Sequence, residues 1–207
     1  MSKLLRFYIM LFFFGLLLSA IQPKEYFTWF LEVIPALLGF VVLVLTYKRF
    51  AFTNLTYGFI LLHCYILFIG GHYTYAEVPL FDWIKELFHQ SRNNYDKVGH
   101  FMQGFVPAMI IRELFIRKKV VANPSYFNFI IVAICLAISA AYEWIEWWVS
   151  VSTGSGGDAF LGTQGDVWDT QSDMLFATIG AICMLVLFSK RQNQAIKQLI
   201  SNQIVNK

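Results

Sequence analysis

The stretch that decides the fold is residues 166–188, DVWDTQSDMLFATIGAICMLVLF. It joins Asp166, Asp169 and Asp173 to an apolar run. The apolar part alone, 174–188, is shorter than the roughly 20 residues that cross a hydrocarbon core. A membrane helix here must therefore include residues back toward the first aspartate. This argument places Asp173, and with it Asp169, in the membrane-embedded part of the helix.

The whole chain has the composition of a polytopic membrane protein. Of its 207 residues, 57% are hydrophobic and 14% are charged, whereas soluble domains carry about 25% charged residues. Mean hydropathy is +0.56. We predict an all-α, polytopic membrane bundle of six transmembrane helices, forming a single membrane domain over 1–207. The predicted spans are 4–21, 27–46, 52–71, 98–116, 126–148 and 166–188.

Lysine and arginine are distributed as if both termini are cytoplasmic. Cytoplasmic loops are enriched in these residues, and this orientation puts 12 of the 16 cations inside and 12 of the 13 carboxylates outside. The acidic outer side favours a polar pocket that faces away from the cytoplasm. Lys3 and Arg6 also fit a cleavable signal peptide. We favour a retained first helix, and either choice leaves the remaining topology unchanged.

Three segments lie outside the predicted spans. Residues 80–89 alternate aromatic and charged residues, which predicts an interfacial amphipathic segment. The loop 151–165 holds five of the 13 glycines, so it is flexible or passes close to another group. Residues 192–207 are polar and predict a cytoplasmic tail that forms a short helix.

The fourth predicted span opens with YDKVGHFMQGF, residues 95–105. Asp96 and His100 are four residues apart and share one helix face. Gly104 follows on that face and permits close helix approach. In one interpretation Asp96 is a helix cap and His100 a buried histidine. In the other, His100 is a ligand or acid–base group and Asp96 orients it from the second shell.

Carboxylates stand at comparable depth on the next two spans. Glu143 lies in YEWIEWW, residues 142–148, where a membrane carboxylate is costly unless paired, protonated or bound to a cation. Glu146 is closer to the end, where we expect water. Asp166 and Asp169 fit the favourable end of a helix dipole, whereas Asp173 is two turns in and does not.

These residues predict one shared site. Its candidate catalytic residues are His100, Glu143 and Asp173. Histidine with carboxylates in a bundle interior suits a divalent metal such as Zn²⁺, Mn²⁺ or Fe²⁺. The same residues also suit acid–base chemistry without a metal. The candidate metal ligands are these three together with Asp169 and His72, the last at the end of the third span.

Four stretches carry a family resemblance: HYTYAEVP (72–79), YDKVGHFMQGFVPA (95–108), YEWIEWW (142–148) and GTQGDVWDTQSDMLFATIGA (162–181). They resemble the YjdF-like family of uncharacterised bacterial inner-membrane proteins. A more distant likeness, to VanZ-like proteins, rests on Asp96-Lys97 with His100 and, loosely, on Asp173, Thr178 and Gly180. The resemblance implies an inner-membrane location, a role in the cell envelope and an outer polar site.

Three functions are compatible with the sequence, and it does not decide whether the protein is an enzyme. The first is a membrane enzyme, metal-dependent in one version, that acts on a lipid or lipid-linked envelope substrate. The second is a structural or assembly protein whose acids are caps and interhelical pairs. The third is a small proton-coupled transporter, which the apolar inner halves of the last two spans disfavour. Membrane lipid is the expected partner, no nucleic-acid motif is present, and the oligomeric state is left open.

Overall fold

The computed structural model describes residues 1–154, 160 and 163–205, and within them the chain is helical with no strand. Gly156, Gly157 and Gly162 of the predicted glycine-rich loop, and residues 206–207 of the predicted tail, lie outside the described residues. A 3₁₀ turn, Pro124–Tyr126, precedes the sixth helix. The helices are α1 (Lys3–Ser19), α2 (Tyr26–Thr46), α3 (Asn54–Tyr73), α4 (Pro79–Leu87), α5 (Tyr95–Lys118), α6 (Phe127–Thr153), α7 (Asp169–Cys183) and α8 (Ser189–Val205).

Each of the six predicted spans overlaps a helix, but four helical stretches of the described chain are long and apolar enough to cross a membrane by length and composition alone. These are Tyr26–Thr46, Asn54–Tyr73, Pro124–Thr153 and Asp169–Asn202. The helix α1 has 17 residues, fewer than the roughly 20 that a span needs. The helix α5 has sufficient length, but buried charged residues near both of its ends lower its hydropathy.

The last helical stretch begins later and runs further than its sequence predicted. It begins at Asp169 rather than at 166, because Asp166 Oδ1 accepts a hydrogen bond from Trp168 N at 2.9 Å and forms a turn. It then continues through a π-helical turn, Met184–Phe188, into α8. The predicted tail is therefore largely a continuation of this helix.

The helices α5 and α7 cross closely because glycines face each other's backbones. A Cβ atom placed on Gly104 would lie 1.7 Å from the carbonyl oxygen of Ala177, and one on Gly180 would lie 1.9 Å from that of Phe101. Small residues allow this approach between membrane helices. The main core cluster surrounds the crossing, with Met109, Ile131, Cys135 and Met184 fully buried. This crossing fixes the positions of polar side chains toward both ends of α5.

One of these polar groups, the Glu113 cluster, joins α5 to α3 and comprises Thr53, Thr56, Glu113 and Arg117. Glu113 is 0% exposed. Its carboxylate accepts bonds from Thr53 N and Oγ1, both at 2.9 Å, from Thr56 Oγ1 at 2.6 Å and from Arg117 Nη1 at 2.8 Å. Both of its oxygens are thus paired, as a buried carboxylate requires.

Arg112, the neighbour of Glu113, is bound to a different helix. It donates to Gln192 Oε1 and to Asn193 Oδ1 of α8, each at 2.9 Å. Gln192 is fully buried and donates to Met109 O at 2.7 Å. These bonds hold α8 against α5 and explain why the polar end of the chain stays packed on the bundle.

Candidate functional site

A second polar group, the His100 cluster, lies near the other end of α5. It is built from the start of α5, the start of α7, the end of α6 and the segment before α5. The spacing of four residues puts Asp96 and His100 on one face of α5, and the glycine crossing brings α7 against that face. The cluster comprises Arg92, Asp96, Lys97, His100, Glu143, Asp166, Asp169 and Asp173.

Three of these residues converge on one point. His100 Nε2 lies 3.2 Å from Asp96 Oδ1 and 3.8 Å from Asp173 Oδ2. One ligand atom from each of the three lies within 4.8 Å of the others. His100 and Asp173 are 7% and 2% exposed as side chains. The geometry therefore offers an enclosed set of one nitrogen and two oxygen donors.

The other oxygens of these aspartates face cations. Lys97 Nζ lies 2.7 Å from Asp173 Oδ1, 2.7 Å from Asp169 Oδ1 and 3.5 Å from Asp96 Oδ2. Arg92 Nη2 lies 3.2 Å from Asp96 Oδ2, and its Nη1 donates to Asp169 and lies 3.4 Å from Asp166. Each of Asp96 and Asp173 thus has one oxygen against a cation and one toward His100.

Arg92 precedes α5 and stays charged in this setting. Partial burial acts to lower the pKa of its guanidinium, but the hydrogen bond and charge of Asp169, with the charges of Asp96 and Asp173, outweigh burial and raise that pKa above its ordinary value. Arg92 is therefore a fixed positive charge that holds the carboxylates of two helices.

The second nitrogen of His100 faces oxygens as well. His100 Nδ1 lies 3.2 Å from Gln103 Oε1 and 3.8 Å from Glu143 Oε1. Its Nε2 already faces two carboxylates. Since the amide oxygen and the three carboxylates, when ionised, all accept hydrogen bonds, the ring is either doubly protonated, or protonated at Nδ1 with its Nε2 lone pair on a cation or on a protonated carboxyl group.

The cluster has more acid than base. Five carboxylates, those of Asp96, Glu143, Asp166, Asp169 and Asp173, surround the two permanently charged cations, Arg92 and Lys97. Glu143 Oε1 is buried with no hydrogen-bond partner among the described residues. Unpaired carboxylates within a membrane bundle are costly, so this arrangement fits protons or a bound cation.

The sequence-predicted residues do not all meet here. His100, Glu143, Asp173 and Asp169 come together, and Asp96 contacts the His100 ring directly. His72 lies elsewhere, with its Nδ1 3.0 Å from Ser19 O. The expectation of water at Glu146 is not met, since this residue is 8% exposed.

Three residues of the cluster or its edge had no assigned role from sequence. Arg92 was counted only among the outer cations, and Lys97 entered only through the likeness to VanZ-like proteins. The i, i+4 spacing of Arg92 and Asp96 was the available signal. Glu32 on α2 is 6% exposed, packs against Gly71 and hydrogen-bonds Tyr75. It interacts electrostatically with Asp96 and His100, and no spacing in the sequence points to it.

These features define a class of protein: a helical, multi-pass membrane protein with a charged site buried in its bundle. Comparison then gives the family. The family model described as "Predicted membrane protein (DUF2238)" matches residues 4–194, and the chain belongs to this family. The chain is also 44% identical over 175 residues, 84% of each chain, to "Inner membrane protein YjdF" of Escherichia coli (strain K12).

The comparisons confirm the YjdF-like resemblance and the multi-pass inner-membrane location. No solved structure matches the chain. The likeness to VanZ-like proteins stays a prediction.

Proposed function

We propose that this protein is a membrane enzyme whose His100 cluster binds one divalent metal ion and acts on a lipid or lipid-linked substrate of the cell envelope. The observation that carries the proposal is the set of Asp96, His100 and Asp173 donors, of which His100 and Asp173 are buried. Ligand atoms about 2.0–2.2 Å from a tetrahedral zinc ion stand roughly 3.3–3.6 Å apart. The separations of 3.2 Å and 3.8 Å around His100 Nε2 bracket that value.

Metal binding accounts for several features of the site at once. A cation at Nε2 leaves the proton of His100 on Nδ1, where Gln103 accepts it. Lys97 and Arg92 hold the outer oxygens of the aspartates, which orients the inner oxygens toward the metal, as hydrogen-bond partners of metal ligands do. Asp96 is then a ligand rather than only an orienting group. Zn²⁺, Mn²⁺ and Fe²⁺ all suit this donor set.

The chemistry follows from the metal and from Glu143. A bound divalent metal such as zinc lowers the pKa of a coordinated water to about 7 and polarises carbonyl oxygens. Glu143 Oε1, buried without a hydrogen-bond partner in the described part of the chain, lies 3.8 Å from His100 Nδ1 and would serve as the nearby proton acceptor of the site. A site with net negative charge favours a neutral reacting group, such as an ester or amide, over a free phosphate.

The proposed topology puts this site on the outer side of the membrane. Six spans with both termini cytoplasmic leave most lysines and arginines inside, as insertion favours. The helix α4 then lies at the outer interface. It has no buried residue, and Leu80, Trp83 and Leu87 on it are 61%, 59% and 54% exposed. Such a helix beside the site can hold lipid near its entrance.

A structural role is the second candidate, and Lys97 favours it. Its ammonium group bridges α5 and α7 through two contacts of 2.7 Å, without any metal. In that case the cluster is an ion-pair network that joins helices. This role predicts no metal and a strong loss of stability when Lys97 is replaced.

Metal analysis separates the two candidates. The wild type, His100→Ala, Asp173→Asn and the control His72→Ala are purified without chelator, and their metal is measured by plasma mass spectrometry. We expect about one Zn, Mn or Fe per wild-type and control chain and a loss of most of it in the two cluster variants. A folded wild type without stoichiometric metal would refute the metal centre and leave the structural role.

A further inference from the structure

A cavity separate from the His100 cluster lies between α1, α2, α3 and α5. Its volume is about 350 Å³, within the roughly 300–1,000 Å³ of small-molecule sites. Its wall is almost entirely apolar and includes Phe12, Gly39, Leu61 and Val106. Along α2 the wall runs from Pro35 to Tyr47, which is about 18 Å at 1.5 Å per residue. The cavity is thus long, narrow and parallel to the helices.

About one helical turn from its end at Leu67, this cavity passes the depth of His100. The rings of Phe59 on α3 and Phe105 on α5 are 5.2 Å apart. Because the two helices are antiparallel, His63, four residues after Phe59, stands level with Phe101, the residue next to His100. His63 lines the cavity and interacts electrostatically with His100. His63 therefore lines the cavity at the level of the His100 cluster.

His63 contributes the imidazole of this wall, and the other polar side chains in it are three tyrosines and Cys64. No hydrogen bond or ion pair joins it to any described residue. An imidazole among apolar side chains needs a partner, and a ligand with a hydrogen-bonding atom at this level would supply one. The remaining wall requires the rest of that ligand to be an apolar chain.

We propose that the cavity holds one acyl chain of a membrane lipid, with the ester carbonyl at His63, so that the substrates of the His100 cluster are acyl esters of lipids. The assignment as substrate rests on the metal-dependent activity proposed above. A carbonyl oxygen accepts from the His63 ring, and the chain below it fills the apolar length. The ester is neutral, which suits a neighbouring site with excess negative charge.

Gly39 gives a direct test of occupancy. A Cβ on Gly39 meets nothing within 4 Å, and the residue lines the cavity, so Gly39→Phe directs a ring into the cavity from a position with room for its Cβ. The control is Val42→Phe on the same helix, because Val42 is 56% exposed and does not line the cavity. Each protein is reconstituted in phosphatidylethanolamine and phosphatidylglycerol vesicles that carry a diazirine on one acyl chain, and labelled residues are mapped after irradiation.

We expect the wild type and Val42→Phe to be labelled on cavity residues and Gly39→Phe to lose this labelling by about fivefold or more. Labelling that follows surface exposure alone, unchanged by Gly39→Phe, would overturn the proposal. A competition between ester-linked and ether-linked phospholipids tests the carbonyl. The ester lipid should be preferred several-fold in the wild type and not in His63→Leu. Equal retention of both by the wild type would overturn the ester assignment.

Metal content measured on the same samples keeps the two proposals apart. Gly39→Phe should retain the metal of the wild type, because the substitution is remote from the ligands. Cavity labelling without bound metal would refute the proposed metal-dependent activity and the substrate assignment, and would support a lipid-binding site only. Metal without cavity labelling would remove the lipid site and leave the metal centre.

Discussion

The His100 cluster and the Glu113 cluster lie on the same helix, about 20 Å apart at 1.5 Å per residue, and both bury charge. The Glu113 cluster has a single carboxylate, and both of its oxygens are paired. The His100 cluster has five carboxylates for two permanent cations and leaves Glu143 Oε1 without a hydrogen-bond partner among the described residues. Complete pairing is typical of a structural joint, whereas excess charge points to a ligand.

The largest effect is expected at the crossing of α5 and α7, because this crossing positions both the His100 cluster and the Glu113 cluster. Replacing Gly104 by alanine puts a Cβ 1.7 Å from the Ala177 carbonyl oxygen, which forces α5 and α7 apart. We expect a loss of more than about 3 kcal/mol, at the upper end of the cost of overpacking, and poor recovery of folded protein. Thermal unfolding in detergent measures it. Gly39→Ala, which meets no atom within 4 Å, is the matched control and should unfold like the wild type.

The next effect isolates the Glu113 cluster. Glu113→Gln keeps the shape of the side chain but removes the charge that pairs with Arg117 and one of the two acceptor oxygens, of which Oε2 accepts from both threonine hydroxyls. We expect a loss of about 2–3 kcal/mol, the scale of a hydrogen bond to a charged group, measured by the same unfolding assay. Metal content should not change. A loss of metal in this variant would contradict the separation of the two clusters.

The sequence predicted much of the helical layout and the site, because both depend on local spacing. The short apolar run after Asp173 drew this residue into the bundle, and the spacing of Asp96 and His100 put them on one face. Neither argument needs to know how the helices pack. In the structure, Asp96 and Asp173 both lie beside His100 Nε2, at 3.2 Å and 3.8 Å.

The features that the sequence did not predict depend on how the helices pack against one another. Glu32 is a lone carboxylate in α2, and only the position of α2 against Gly71 brings it near the site. The level of His63 beside the site follows from the register of α3 and α5. The cations Lys97 and Arg92 join the cluster only because the glycine crossing brings Asp169 and Asp173 within their reach.

A smaller effect is expected when metal is added, and it should distinguish the His100 cluster from the Glu113 cluster. A metal that binds only the folded state stabilises it by about 2.7 kcal/mol when its concentration is 100 times its dissociation constant. Protein stripped with chelator should therefore unfold at a higher temperature when Zn²⁺ or Mn²⁺ is restored. Glu113→Gln should keep this rise and Asp173→Asn should lose it. Equal rises in both variants would mean that the metal acts away from the His100 cluster.

The smallest effect is expected at a surface pair that contrasts with both clusters. Lys24 Nζ lies 2.7 Å from Glu77 Oε2, but the two side chains are 52% and 55% exposed. The hydrogen bond and charge of Glu77 raise the pKa of Lys24, so this pair persists across neutral pH, yet water screens it and surface pairs add little stability. Lys24→Ala should leave the unfolding temperature and the metal content unchanged. A clear drop in the unfolding temperature would show that an exposed ion pair can also contribute to the stability of this bundle.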